Sequence, residues 1–279
     1  QLSVPNTNGV DTNVTINYLP NAYYLHSTDN KFWKVTFDTG SLIYLPLTLP
    51  IKTYWAAPMV EIKTGSIIIP SEFTFGTRGG TKETGGGWLD LTSNDYSGSI
   101  INGCSYDTDK GAITFDAINQ YVTFGNILAS LTDLTLECWI KFGSQKSNYA
   151  GIISKTLDNS DGYELRTTTY TATTTNLQFR YKGDSAATAA YTAENNRWYH
   201  IVATGQSGVQ RLYVNGDIVA TNNVATTPTA NTNELSIAKL AYSTLYLSAS
   251  IASVKIYDRV LTPPQVIDNF DSMRSRFGI

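Results

Sequence analysis

The sequence predicts an all-β protein: an antiparallel jelly-roll β-sandwich preceded by a small β-rich N-terminal region and closed by one short C-terminal helix. Three observations predict it. From Ala112 onward, short runs with two-residue apolar alternation recur between turn residues, with no long helical pattern between them. Charged residues make up only 15% of the chain, so Thr, Ser, Asn, Tyr and Gly must supply the polar surface. These residues suit short strands and tight turns. The third observation is the single amphipathic stretch at the end, QVIDNFDSMRSRF.

Residues 1–76 read as the β-rich N-terminal region. In KFWKVTFDTG, Phe32, Lys34 and Thr36 alternate with Trp33, Val35 and Phe37, as in a strand with mixed faces. SLIYLPLTLP follows, and its Pro46 and Pro50 fit an edge or an extended arm. APMVEIK and GSIIIPSEFTFG complete the region. So small a region with Leu42, Ile43, Leu45, Leu47 and Trp55 has apolar surface to cover, which points to docking or assembly, with a self-contained small β-domain as the competing reading. Residues 77–87, TRGGTKETGGG, contain five glycines and alternating charge, which reads as an interdomain linker or a mobile loop.

Residues 88–279 read as the sandwich with its helix. In LTLECWIKF, Leu134, Leu136, Cys138, Ile140 and Phe142 share one face, the core face. Thr135, Glu137, Trp139 and Lys141 share the other, predicted to be partly solvated. Asn215-Gly216 sits between two strand-like runs and supplies the positive φ angles of a tight hairpin. At the end Thr262 caps a helix, Pro263 takes its first position, and Val266, Ile267, Phe270 and Met273 form its apolar stripe. Arg274 and Arg276 fall in its last turn, where positive charge is favoured.

Composition also excludes functions. The net charge is −3 and no Lys/Arg cluster exists, which argues against nucleic acid. No apolar run is long enough for membrane insertion by a helix. Two cysteines, Cys104 and Cys138, make no disulfide scaffold; a bridge between them is open to the spacing, but folding without one is the simpler expectation. The two histidines, His26 and His200, are too far apart from the cysteines to suggest zinc, and His200 reads as a sheet residue. The chain opens on Gln1, read as a mature terminus or the end of a removed piece, and QLSVPNTNGV lacks the features of a signal peptide.

Sugars present C–H faces and hydroxyl rims, so a sugar site needs exposed aromatic rings beside amides and carboxylates. Among the 18 tyrosines, Tyr149, Tyr170, Tyr191, Tyr242 and Tyr246 lie in predicted loops and are the carbohydrate-binding candidates.

GGWLDLTSNDYSGSIINGCSYD, ITFDAINQYVTF, LTLECWIKF, RWYHIVAT, RLYVNGDIVA and SIASVKIYDRVLTPPQV, in this order, resemble the concanavalin A-like (laminin-G-like) lectin and glucanase superfamily. The resemblance implies a lectin-like sandwich. The enzymatic branch carries a signature close to Glu-x-Asp-x-x-Glu, which is missing here, since Glu137 and Glu164 stand alone in their strands. It also implies calcium as the cofactor to consider. Gln120 replaces an Asp of the family pattern and weakens one such site. The turn TLDNSDGY offers Asp158, Asn159 and Asp161 as candidate calcium ligands, with a plain polar hairpin turn as the competing reading.

The ending IDNFDSMRSRFGI is similar to the C-termini of such domains in tailed-phage structural proteins. The expectation is therefore a non-enzymatic virion structural protein: a capsid decoration, fibre or tail-associated subunit at the particle surface, assembled in the host cytoplasm. Its expected partners are identical copies or other virion proteins, and cell-surface glycans. A free lectin or adhesin is the alternative, and a polysaccharide-cleaving glycoside hydrolase stands third.

Overall fold

The computed structural model describes residues 23–26, 32–35, 59–63, 66–70, 87–90, 96, 98–107 and 110–279. Two units are distinguished, residues 1–55 and 56–279. In the first, strands β1 (Tyr23–His26) and β2 (Phe32–Val35) pair antiparallel. The assembly candidates Leu42, Ile43, Leu45, Leu47 and Trp55 lie outside the described residues, as does all of the 77–87 linker except Gly87.

The second unit holds β3 (Met59–Lys63), β4 (Ser66–Pro70), β5 (Gly87–Asp90), β6 (Gly98–Ile101), β7 (Ser105–Asp107), β8 (Ala112–Asp116), β9 (Tyr121–Thr123) and β10 (Leu134–Phe142). It continues with β11 (Gly151–Lys155), β12 (Tyr163–Tyr170), β13 (Thr174–Tyr181), β14 (Tyr191–Glu194), β15 (Trp198–Gln206) and β16 (Val209–Val214). β17 (Asp217–Asn222), β18 (Ser236–Ile237), β19 (Ser248–Tyr257) and helix α1 (Pro263–Phe277) complete it.

These strands form two antiparallel layers. The back layer runs β7–β8–β19–β10–β15–β16–β17. The front layer runs β14–β13–β12–β11–β18–β9–β6–β5. β4 pairs with β5 and β3, and β3 lies parallel to the second half of β19. Strands that the sequence places in the N-terminal region thus hydrogen-bond to the sandwich. Local alternation marks a strand; it carries no information on which partner the strand will find.

The core between the layers follows the period-two pattern. Leu134, Leu136, Cys138, Ile140 and Phe142 of β10 face Val122, Ile153, Leu165 and Phe179 of the front strands in one buried cluster. Burying each large side chain contributes roughly 1.5–3 kcal/mol. Cys104 and Cys138 are both buried and are not joined by a disulfide. Asn215 and Gly216 adopt φ of 52° and 89°, closing the β16–β17 hairpin as the Asn-Gly pair predicts.

The outer face of β10 departs from expectation. Thr135, Glu137 and Trp139 are fully buried there, not partly solvated. The cause is α1, which packs across the back layer through Val266, Phe270, Met273 and Phe277. Phe277 stacks on Trp139 with ring centroids 4.3 Å apart. Thr262 and Pro263 begin the helix as read from sequence, with the Thr262 N–H donating to Gln265 Oε1 at 3.0 Å. Gly278 ends it in the left-handed conformation. Ile267 is exposed, because the docked stripe advances by four, three and four residues from Val266 and leaves Ile267 beside it. Among the described residues no helix is long and apolar enough to cross a membrane.

Candidate functional site

Two polar networks lie on the outward faces of the layers, and they differ in what covers them. On the back layer Glu137 is enclosed under α1. Its Oε1 lies 3.2 Å from His200 Nε2 and 3.3 Å from Lys255 Nζ. Its Oε2 accepts from Asn269 Nδ2 at 2.7 Å and from Tyr257 OH at 3.3 Å. Burial pushes the Glu137 carboxyl up, but Lys255, followed by His200 and the Asn269 amide, brings it down to about 2. Glu137 and His200 are fully buried, and His200 packs between Trp139 and Phe270. This network holds the helix to the sheet, which fits the sheet role that sequence assigns to His200.

The front layer carries the second network, and it reaches the surface. Strand register places Thr123, Ser236, Ser154, Glu164 and Arg180 side by side across β9, β18, β11, β12 and β13. Their neighbours in sequence, Val122, Ile237, Ile153, Leu165 and Phe179, belong to the core, so this polar row faces outward. Arg180 Nη1 donates to Glu164 Oε1, and Ser154 Oγ donates to Glu164 Oε2 at 3.2 Å. One row along, Arg166 Nη1 lies 3.4 Å from Glu164 Oε1, and its Nη2 donates to Gln178 Oε1 and Asp184 Oδ1, both at 3.2 Å. Asp184 comes from the short 3₁₀ turn Gly183–Ala186 and is itself exposed. Two guanidinium groups thus meet two carboxylates, and the local charge balances.

The cover over this row is the chain's own hairpin between Lys239 and Tyr246, which form an isolated bridge. Ala241 N–H donates to Ser154 Oγ at 3.0 Å, and Ser236 Oγ donates to the Lys239 carbonyl at 2.9 Å. The hairpin comes close enough that a Cβ on Gly151 would lie 2.3 Å from the Lys239 carbonyl oxygen. Glu164 and Arg180 are fully buried as a result, while Arg166 keeps an edge in solvent. Burial pulls the Arg166 guanidinium below its ordinary range, and Glu164 opposes that pull. Arg166 Nε is buried with no hydrogen-bond partner among the described residues. A buried donor without a partner is costly.

The tyrosines read from sequence divide around this row. Tyr149 is 45% exposed and its ring lies under the Arg166 guanidinium, 4.9 Å from the centroid. Tyr242 is half-buried and its hydroxyl donates to Asn159 Oδ1. Tyr246 is half-buried on the far side of the hairpin, with its ring 5.9 Å from Tyr121. Tyr170 is exposed at the distal end of β12. Tyr191, at the start of β14, packs against the core. Three segments around the row carry left-handed non-glycine residues: Tyr149 at φ 62°, Lys182 at φ 61° and Ala238 at φ 64°. Such strain gathers where a site is being shaped.

The three calcium candidates do not form a cation shell. Asp158 Oδ1 accepts from the Ser160 N–H and hydroxyl, both at 2.6 Å. Asp161 Oδ1 accepts from the N–H groups of Gly162 and Thr229 at 2.7 and 3.0 Å. The Asn159 carbonyl accepts from Arg180 Nη2 at 2.5 Å. These oxygens are turned to N–H and O–H donors, and the positive charge near Asn159 is a guanidinium. Among the described residues no group of three His, Cys, Asp or Glu side chains could hold a metal.

Arg166, Arg180, Glu164, Gln178 and Asp184 were not among the sequence candidates. A signal for them exists: YELR and LQFR each place two polar residues at i and i+2, opposite the apolar positions of one strand pair.

A two-layer jelly roll of this strand order is a lectin-like domain. Residues 116–267 match the family described as the concanavalin A-like lectin/glucanases superfamily, and the chain belongs to that family. Among solved structures it is similar to the botulinum neurotoxin serotype D binding domain, with a TM-score of 0.50 at 12% identity over 66% of this chain and 49% of that one. It is also similar to the binding domain of Paraclostridial Mosquitocidal Protein 1, with a TM-score of 0.50 at 16% identity over 66% and 49% of the two chains. The matched part of this chain spans about half the length of these structures. No curated protein sequence matches the chain.

Proposed function

We propose that this chain is a non-enzymatic glycan-binding module displayed on a virion, and that the front-layer face around Arg166 is its binding surface. The observation that carries the binding half is Arg166: a guanidinium edge with an unpaired buried Nε, set over an exposed tyrosine and beside the exposed Asp184. An aromatic face with fixed donors and acceptors is the chemistry that saccharides require. The balanced charge favours neutral sugars. Glu164 lies fully buried beneath the hairpin, out of reach of a glycosidic bond, which supports a non-enzymatic reading. The virion half is supported by the resemblance of IDNFDSMRSRFGI to phage structural proteins and by the apolar N-terminal segment. Many copies on a particle would raise weak single-site binding to useful avidity.

The test uses the full chain, multimerised on beads, against a broad saccharide array. Binding to at least one saccharide class that falls tenfold or more in Tyr149→Ala supports the reading. No binding to any saccharide, or binding untouched by Tyr149→Ala, refutes this surface. Release of reducing ends from any bound saccharide refutes the non-enzymatic assignment.

A further inference from the structure

The polar row of the front layer has a second end, and it is also dressed for a sugar. At β9, next to Thr123, the rings of Tyr121 and Tyr246 meet at 5.9 Å with a 41° tilt, and both residues are half-exposed. Lys239 Nζ sits 4.5 Å from the Tyr121 ring centroid and 2.6 Å from Glu234 Oε1. Glu234 Oε2 accepts from Thr123 Oγ1 at 2.5 Å. One aromatic pair, one ammonium, one carboxylate and one hydroxyl therefore converge at the surface. The Lys239–Glu234 pair is neutral overall, as is the Arg166 cluster.

We infer that this cluster is a second saccharide subsite, and that the ligand is an oligosaccharide held at two points on one sheet face. The inference rests on the glycan-binding reading given above. Register fixes the relation between the two ends: Thr123 on β9 and Arg166 on β12 are separated by three strand-to-strand steps, roughly 14 Å at 4.7–4.9 Å per step. A single sugar ring cannot reach both ends. The hairpin from Lys239 to Tyr246 lies between them and contributes to each, Tyr242 to the Arg166 side and Tyr246 to the other. A chain ligand crossing the exposed Thr244 turn would contact both aromatic groups. Occupying the second subsite is then an intramolecular event, so affinity rises with ligand length.

The experiment measures affinity of the full chain for mono- to hexasaccharide ladders of gluco-, manno-, galacto- and N-acetylglucosamine-type chains, with Tyr246→Ala and Tyr246→Phe. The expected result is at least a tenfold gain from disaccharide to hexasaccharide in the wild type. Tyr246→Ala abolishes that gain, while Tyr246→Phe retains it because it keeps the ring. Unchanged far-ultraviolet circular dichroism and a cooperative thermal transition show that each variant is folded. Disaccharide binding with no gain on lengthening, or a gain that survives Tyr246→Ala, overturns the second subsite and leaves the first reading intact. A ladder in which nothing binds at any length overturns the parent reading and this one together.

Discussion

Acid should loosen α1 from the back layer, and Glu137 sets where. Its carboxylate is fully buried and faces Lys255, His200, Asn269 and Tyr257. Burial alone would raise its pKa, but Lys255 and then His200 and Asn269 bring it from 4.5 to about 2. A carboxyl depressed in the folded state stabilises that state above its unfolded pKa and loses the contribution as pH falls through the folded value. The window is therefore from about pH 4.5 down to about 2. The shift corresponds to about 3 kcal/mol at roughly 1.4 kcal/mol per pH unit. In a domain of this size that is a drop in Tm of about 6–12 °C. The assay is thermal unfolding by circular dichroism from pH 6 to pH 2.5, in the wild type and in a Glu137→Leu/Lys255→Met double variant. Removing both partners avoids leaving one charge buried alone, which would itself cost about 3–5 kcal/mol. The wild type should lose more stability across the window than the double variant, by about 3 kcal/mol. Equal pH slopes in the two proteins would refute the reasoning.

Two further outcomes follow from the front layer. Gly151→Ala sets a Cβ against the Lys239 carbonyl, so the hairpin must shift; chemical denaturation should show a loss of about 1–3 kcal/mol, and unchanged stability would mean that the hairpin is not docked as described. Calcium should leave Tm unchanged, because the oxygens of Asp158, Asn159 and Asp161 are held by protein donors; a saturable rise in Tm with added calcium, reversed by chelation, would restore that turn as a cation site.

The legibility of this protein varied with the range of the interaction. Leu134, Leu136, Cys138, Ile140 and Phe142 proclaim a core face because alternation is a property of one strand. Asn215-Gly216 and Thr262-Pro263 specify a turn and a helix start for the same reason. The opposite face of β10 is buried where alternation predicts partial solvation, because its cover arrives from a helix more than a hundred residues later. The carbohydrate candidates show the same limit. Tyr149 lies against Arg166, Tyr242 and Tyr246 occupy one hairpin, and Tyr191 packs against the core, yet no feature of their flanking residues separates them.

Fold class, the core face of the central strand, the tight turn and the terminal helix are written in local residue patterns, since each depends on neighbours within a few residues. That Glu164, Arg166, Gln178 and Arg180 share a sheet face with Thr123 and Ser236 emerges with the pairing of the strands. So does the placement of the Lys239–Tyr246 hairpin over them. The physical reason is that strand register across five strands is fixed by packing and turn geometry together, and no single segment encodes it.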